Sequence, residues 1–196
     1  MYQLIGLIFL LSYATSIQAN VLQYKLLFAS TTTVIHQINS DQAIPHQASS
    51  SFITDGQAWL TTMSSRVKRF IPDQKERDDF LSTVYYEAIR AGLDPQLVLS
   101  VIQVESNFNK YAISSAGARG YMQIMPFWVD TIGTKDHNLF HLRVNLRYGC
   151  TILRHYLEIE KGNYFRALGR YNGSLGQVTY PQQVFNTWRE TWAYPS

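Results

Sequence analysis

The chain has 196 residues, 46% hydrophobic and 16% charged, a balance that excludes a wholly disordered polymer or a multi-span membrane protein and fits one globular unit with an extension. A formal net charge of +3 favours contact with an anionic polymer but lacks the dense basic patch of a nucleic-acid binder. The single cysteine, Cys150, excludes an intramolecular disulfide and a cysteine-based zinc site, and reads as a small buried hydrophobe.

Residues 1–19 read as an export signal: Leu4 to Leu11 is an apolar block too short to span a bilayer comfortably, and Ile17-Gln18-Ala19 offers a cleavage site after Ala19. No Lys or Arg precedes the apolar block, so an uncleaved anchor is the alternative, and membrane attachment is expected only in that case. Residues 20–72 are rich in Ser, Thr, Gln and Ala, show no sustained period, and carry Pro45 and Gly56. They are predicted to form a linker or poorly ordered arm. Within it, Val21 to Ala29 and Trp59 to Phe70 read equally as short helices or partner-binding segments.

Regular structure is predicted from Gln74, where Phe80, Leu81, Val84, Tyr85, Ala88 and Ile89 recur at helical spacing before Gly92. Asp94-Pro95 supplies an N-cap and a first-turn proline for a second helix reaching Ser106. Lys110 to Tyr121, with Ser114, Ser115, Gly117 and Gly120, reads as a loop. Further helices are expected over Leu142 to Glu160, closed by Gly162-Asn163, over Tyr164 to Tyr171, and over Pro181 to Trp188. With no strand pattern, residues 73–196 are expected to be a mainly α domain.

The second helix singles out one acid. Its polar residues Gln96, Ser100 and Gln103 share a face, and at about 100° per residue Glu105 lies about 180° from Gln96, among Val98 and Val101. A carboxyl group pointing inward there either finds a cationic partner, such as Arg119 or Arg170, or has its pKa raised toward the range of a general acid. His137 and His141 are four apart, but Asn138 stands where the zinc-protease motif needs Glu, so no metal or cofactor is expected. The 13 Tyr and 4 Trp suit sugar faces as well as a core.

Around Glu105 the residues come in a recognisable order. Glu105-Ser106 with Phe108 is followed by Ser115-Ala116-Gly117-Ala118, Gly120-Tyr121-Met122-Gln123, Met125-Pro126, Asn145 with Gly149, Tyr156-Leu157, Arg170-Tyr171-Asn172-Gly173-Ser174, then Tyr180-Pro181 and Val184. Over about Asp73 to Arg189 the chain resembles the soluble-lytic-transglycosylase catalytic domain, with Tyr121 where that family commonly has Leu.

That resemblance implies a lysozyme-like helical fold acting on peptidoglycan glycan strands. It implies that Glu105 is the single acid and base, cutting the β-1,4 bond between N-acetylmuramic acid and N-acetylglucosamine and leaving a 1,6-anhydro end. It further implies that Ser106 bonds the Glu105 carboxyl group or the substrate, that Met122 and Gln123 line the sugar-binding cleft, that Tyr171 brings its hydroxyl near Glu105, and that Asn172 supports the cleft. Asn145 reads as structural. A hydrolytic muramidase and a noncatalytic glycan-binding assembly protein are the alternatives. The expected setting is periplasmic or secreted, with docking of the arm on a secretion, conjugation or appendage complex as a further hypothesis.

Overall fold

The computed structural model describes residues 50–194, and side chains from Gly56 onward. The export-signal reading at residues 1–19 and the arm up to residue 49 lie outside the described residues. Seven helices are formed among the described residues, α1 (Ser50–Val67), α2 (Gln74–Arg90), α3 (Pro95–Ser106), α4 (Phe127–Ile132), α5 (Leu142–Ile159), α6 (Tyr164–Asn172) and α7 (Thr179–Glu190), with β-pairing limited to isolated bridges. The fold is mainly α, as the spacing predicts. None of these helices is long and apolar enough to cross a membrane.

Three helices begin at residues whose side chains cap them. Asp73 caps α2 by accepting from the Glu76 backbone N–H at 2.8 Å. Asp94 caps α3 by accepting from the N–H groups of Gln96 at 2.6 Å and Leu97 at 3.3 Å, with Pro95 in the first turn. Such caps satisfy backbone donors that the helix itself leaves unpaired. Asn163 does the same for α6, which ends in Gly173 at φ 77.

Two elements were not anticipated as such. The helix α4 is short, carries no side-chain cap, and follows Met125-Pro126, so neither length nor capping announced it. The segment from Trp59 to Phe70, which the sequence left open, is largely the second half of α1, and Trp59, Met63, Val67 and Ile71 are buried. The packed unit therefore starts well before Asp73. Arg77, itself buried, ties α1 to α2 by donating to Ser64 Oγ at 2.9 Å and to the carbonyls of Ile71 and Pro72 at 2.8 Å.

Helix α3 lies at the centre, packed by α2 and α7, while α5 packs on α2 and α6. Its expected polar face is not free surface. Trp59 donates its indole N–H to Gln96 Oε1 at 3.2 Å, Trp192 donates to Gln103 Oε1 at 2.8 Å, and Ser100 is buried and donates back to the Gln96 carbonyl at 2.7 Å. A helix covered this completely is a core helix rather than an amphipathic one.

One buried side chain makes three hydrogen bonds that hold the loop after α3. Buried Asn145 on α5 accepts from the Met122 N–H at 2.8 Å and donates to the carbonyls of Arg119 at 2.9 Å and Leu139 at 2.8 Å. Gly120 sits against it at φ 75, where an added Cβ would come within 2.4 Å of Asn145 Nδ2 and 2.7 Å of the Leu139 carbonyl. Both the backbone conformation and the space require glycine. Gly120→Ala should therefore lower the urea midpoint of unfolding, at a cost of roughly 2–4 kcal/mol.

Candidate active site

Glu105 occupies the last turn of α3, half-buried, on the side of the helix that faces α7 and the end of α6. Tyr180, in the first turn of α7, donates its hydroxyl to Glu105 Oε1 at 2.6 Å. Asn172, the last residue of α6, also hydrogen-bonds the carboxyl group. Burial pushes the Glu105 pKa up to about 7, outweighing the lowering effect of these two hydrogen bonds. Burial also raises the Tyr180 phenol well above its ordinary value, and the nearby Glu105 charge adds to this. It stays a donor.

No cation neutralises Glu105 among the described residues. Arg170 instead pairs with Glu160, as does Arg166, and Arg119 is exposed. No second carboxylate is among the groups that set Glu105's ionisation. Asp94 caps the opposite end of α3, about 16 Å away along the axis at 1.5 Å per residue. Glu87 has a different environment: it is fully buried and receives Arg90 Nε at 2.6 Å and Arg147 Nε at 3.3 Å. It joins α2 to α5.

The remaining residues singled out from sequence are near Glu105 in sequence or space, but several do different things from those expected. Met122 does not line an open surface. Its side chain is fully buried, and its sulfur lies where a Cβ on Gly149 would stand, so close helix packing leaves it no access to solvent. Ser106 turns away from the carboxyl group, donating to the Tyr121 carbonyl at 2.8 Å with the Ile102 carbonyl at 3.1 Å, because a serine hydroxyl in a last helical turn reaches backbone acceptors first.

Tyr171 directs its hydroxyl to the Met122 carbonyl at 2.8 Å rather than to Glu105, although it lies close enough to feel the Glu105 charge. Gln123, at φ 49, donates its amide to the Gly120 carbonyl at 2.9 Å and the Ala112 carbonyl at 3.2 Å. Of the six residues, Glu105 and Asn172 are brought into direct contact. The sequence reading assigned no role to Tyr180, although Tyr180-Pro181 was visible as a pair; the signal was an aromatic hydroxyl four residues before Val184, on the buried face of α7.

Among the described residues no group of His, Cys, Asp and Glu is arranged to hold a metal ion. His137 Nδ1 instead lies 2.7 Å from the Tyr148 hydroxyl, and His141 stands at the N-cap of α5.

The raised pKa carries a stability consequence. The folded chain keeps the Glu105 proton up to about pH 7, whereas a free glutamate loses it near 4.5, so stability falls as pH rises through that window, by up to about 3 kcal/mol. Glu105→Gln removes the titration. Its melting temperature should exceed that of the wild type at pH 8, and the gap should narrow on acidification to pH 4.

The chain is similar to several known proteins. The chain is 33% identical over 98 residues to the transglycosylase of Enterobacteria phage PRD1, covering 50% of this chain and 36% of the phage protein. It is 49% identical over 47 residues to the membrane-bound lytic murein transglycosylase C of Mannheimia succiniciproducens, covering 24% of this chain and 13% of that protein. The chain thus spans little more than a third of the one relative and about an eighth of the other. Among solved structures, an inactive mutant of the lytic transglycosylase Slt from Pseudomonas aeruginosa overlays with a TM-score of 0.44 at 28% identity, over 52% of this chain and 17% of that one. The 70-kDa soluble lytic transglycosylase from Escherichia coli overlays at 0.43 with 19% identity, over 67% and 23%. The Transglycosylase SLT domain family matches residues 83–190, from within α2 to the end of α7 and more than half of the chain, and the chain belongs to it.

Proposed function

We propose that the protein is a lytic transglycosylase of peptidoglycan, with Glu105 as both acid and base. The observation that carries this reading is a half-buried carboxyl group whose pKa is pushed up to about 7 by burial, bonded by Tyr180 and Asn172 and set by no second carboxylate. Glycoside hydrolysis ordinarily uses two carboxylates flanking the bond. A lone carboxyl group that is protonated near neutrality suits a reaction in which one group donates a proton and then takes one back.

In the proposed sequence, protonated Glu105 gives its proton to the glycosidic oxygen between N-acetylmuramic acid and N-acetylglucosamine as the C–O bond breaks. The substrate's 2-acetamido group stabilises the electron-poor anomeric carbon. Glutamate then removes the proton of the muramic acid 6-hydroxyl, whose oxygen bonds to that carbon and closes a 1,6-anhydro ring. No water is consumed, and Glu105 ends protonated. Tyr180, donating to Oε1, and Asn172 hold the carboxyl group in place while its proton is exchanged. The inferred setting is outside the cytoplasmic membrane, where this polymer lies, in keeping with the export-signal reading of residues 1–19.

Mass spectrometry of digested sacculi should find fragments about 18 Da lighter than hydrolytic products, one water being absent; reducing ends alone would instead indicate a muramidase. Glu105→Gln should cost orders of magnitude in rate while the chain still folds, and a folded variant that still cleaves would remove Glu105 from the role. The Tyr180 hydrogen bond lowers the Glu105 pKa. Tyr180→Phe should therefore move the alkaline limb of the pH–rate profile upward, because the acid holds its proton to higher pH, while the maximal rate falls.

A further inference from the structure

We propose that Trp192 is a positioning residue for Glu105, gripping the chain on both sides of it; the proposal rests on the reading of Glu105 as the reacting acid. Immediately after α3 the chain leaves the helix through two left-handed residues, Asn107 at φ 49 and Phe108 at φ 64. A bulky aromatic residue keeps that conformation only where its surroundings over-determine it. Here Trp192 supplies much of that surrounding. Fully buried, it donates its indole N–H to Gln103, two residues before Glu105, at 2.8 Å, and its ring lies 5.5 Å from that of Phe108, three residues after.

The grip is itself anchored. Arg66 on α1 donates to the carbonyls on either side of Trp192, Thr191 at 3.1 Å and Ala193 at 2.8 Å, and Phe70 stacks on Phe108 at 4.4 Å. Arg66, Phe70 and Trp192 all lie outside residues 83–190, the span of the family match. The direction in which the last turn of α3 presents Glu105 to Tyr180, Asn172 and Tyr171 is thus held by parts of the chain beyond that span. A control is built into the same helix. Trp59 makes the equivalent indole bond to Gln96 at 3.2 Å, about 14 Å from Glu105 along the axis at 1.5 Å per residue.

The test compares kinetics of the full chain on soluble glycan strands. Trp192→Phe keeps a smaller aromatic ring and removes the N–H; Gln103→Met keeps the length and removes the acceptor. Each should lower kcat about tenfold with KM unchanged, as a small displacement of a reacting group does, and the double variant should be no worse than either, since both break one bond. The alkaline limb of the kcat profile should move to lower pH, because a loosened turn admits water to Glu105 and returns its pKa toward the ordinary range. Trp59→Phe should lower the melting temperature comparably while leaving kcat and the limb in place. Trp192→Phe and Gln103→Met behaving like Trp59→Phe, or adding independently, would overturn the proposal. Glu105→Gln assayed alongside separates the two failures: if it retains cleavage, the acid reading falls and the positioning role with it, whereas an inactive Glu105→Gln beside a wild-type Trp192→Phe sinks the positioning role alone.

Discussion

Helix α3 runs through the middle of the fold with apolar side chains on all but one stripe, and even that stripe is covered, its two glutamines taking up the indole N–H groups of Trp59 and Trp192. A carboxyl group at the end of such a helix loses much of its water and gains few partners. Desolvation disfavours the charge, and two neutral hydrogen bonds recover only part of the loss. The raised pKa of Glu105 follows from where the helix lies and from what α6 and α7 leave beside it.

Glu87 shows how much depends on neighbours. It is the same residue type and more deeply buried, yet two arginines close on it and make it a cross-link between α2 and α5. Glu105 has phenol and amide neighbours in place of guanidinium groups. Without a charge partner, burial leaves Glu105 able to hold or release a proton near neutrality.

Much of what surrounds Glu105 is scaffold. Asn145 fixes the loop through three hydrogen bonds, Gly120 and Gly149 let Asn145 and Met122 approach, Tyr171 fastens the Met122 carbonyl, and Ser106 ties the end of α3 to Tyr121. These residues hold backbone near the acid rather than presenting side chains to a ligand. Together they fix the geometry at the end of α3.

Helix boundaries were legible in the sequence wherever a local rule governs them: the Asp94 cap, Pro95 in a first turn, and Gly92 and Gly162 after helix ends all act within a few residues. The placement of Glu105 opposite Gln96 was legible for the same reason, since helical geometry is periodic. Which side of α3 meets solvent was not, because that depends on Trp59 and Trp192, contributed from 37 and 89 residues away. The Tyr180 bond, spanning 75 residues, and the full burial of Met122 were hidden likewise. Glu105 as the unusual acid was determined by the order of residues along one helix; its partners, its water and its proton affinity were decided only when distant segments packed around that helix's end.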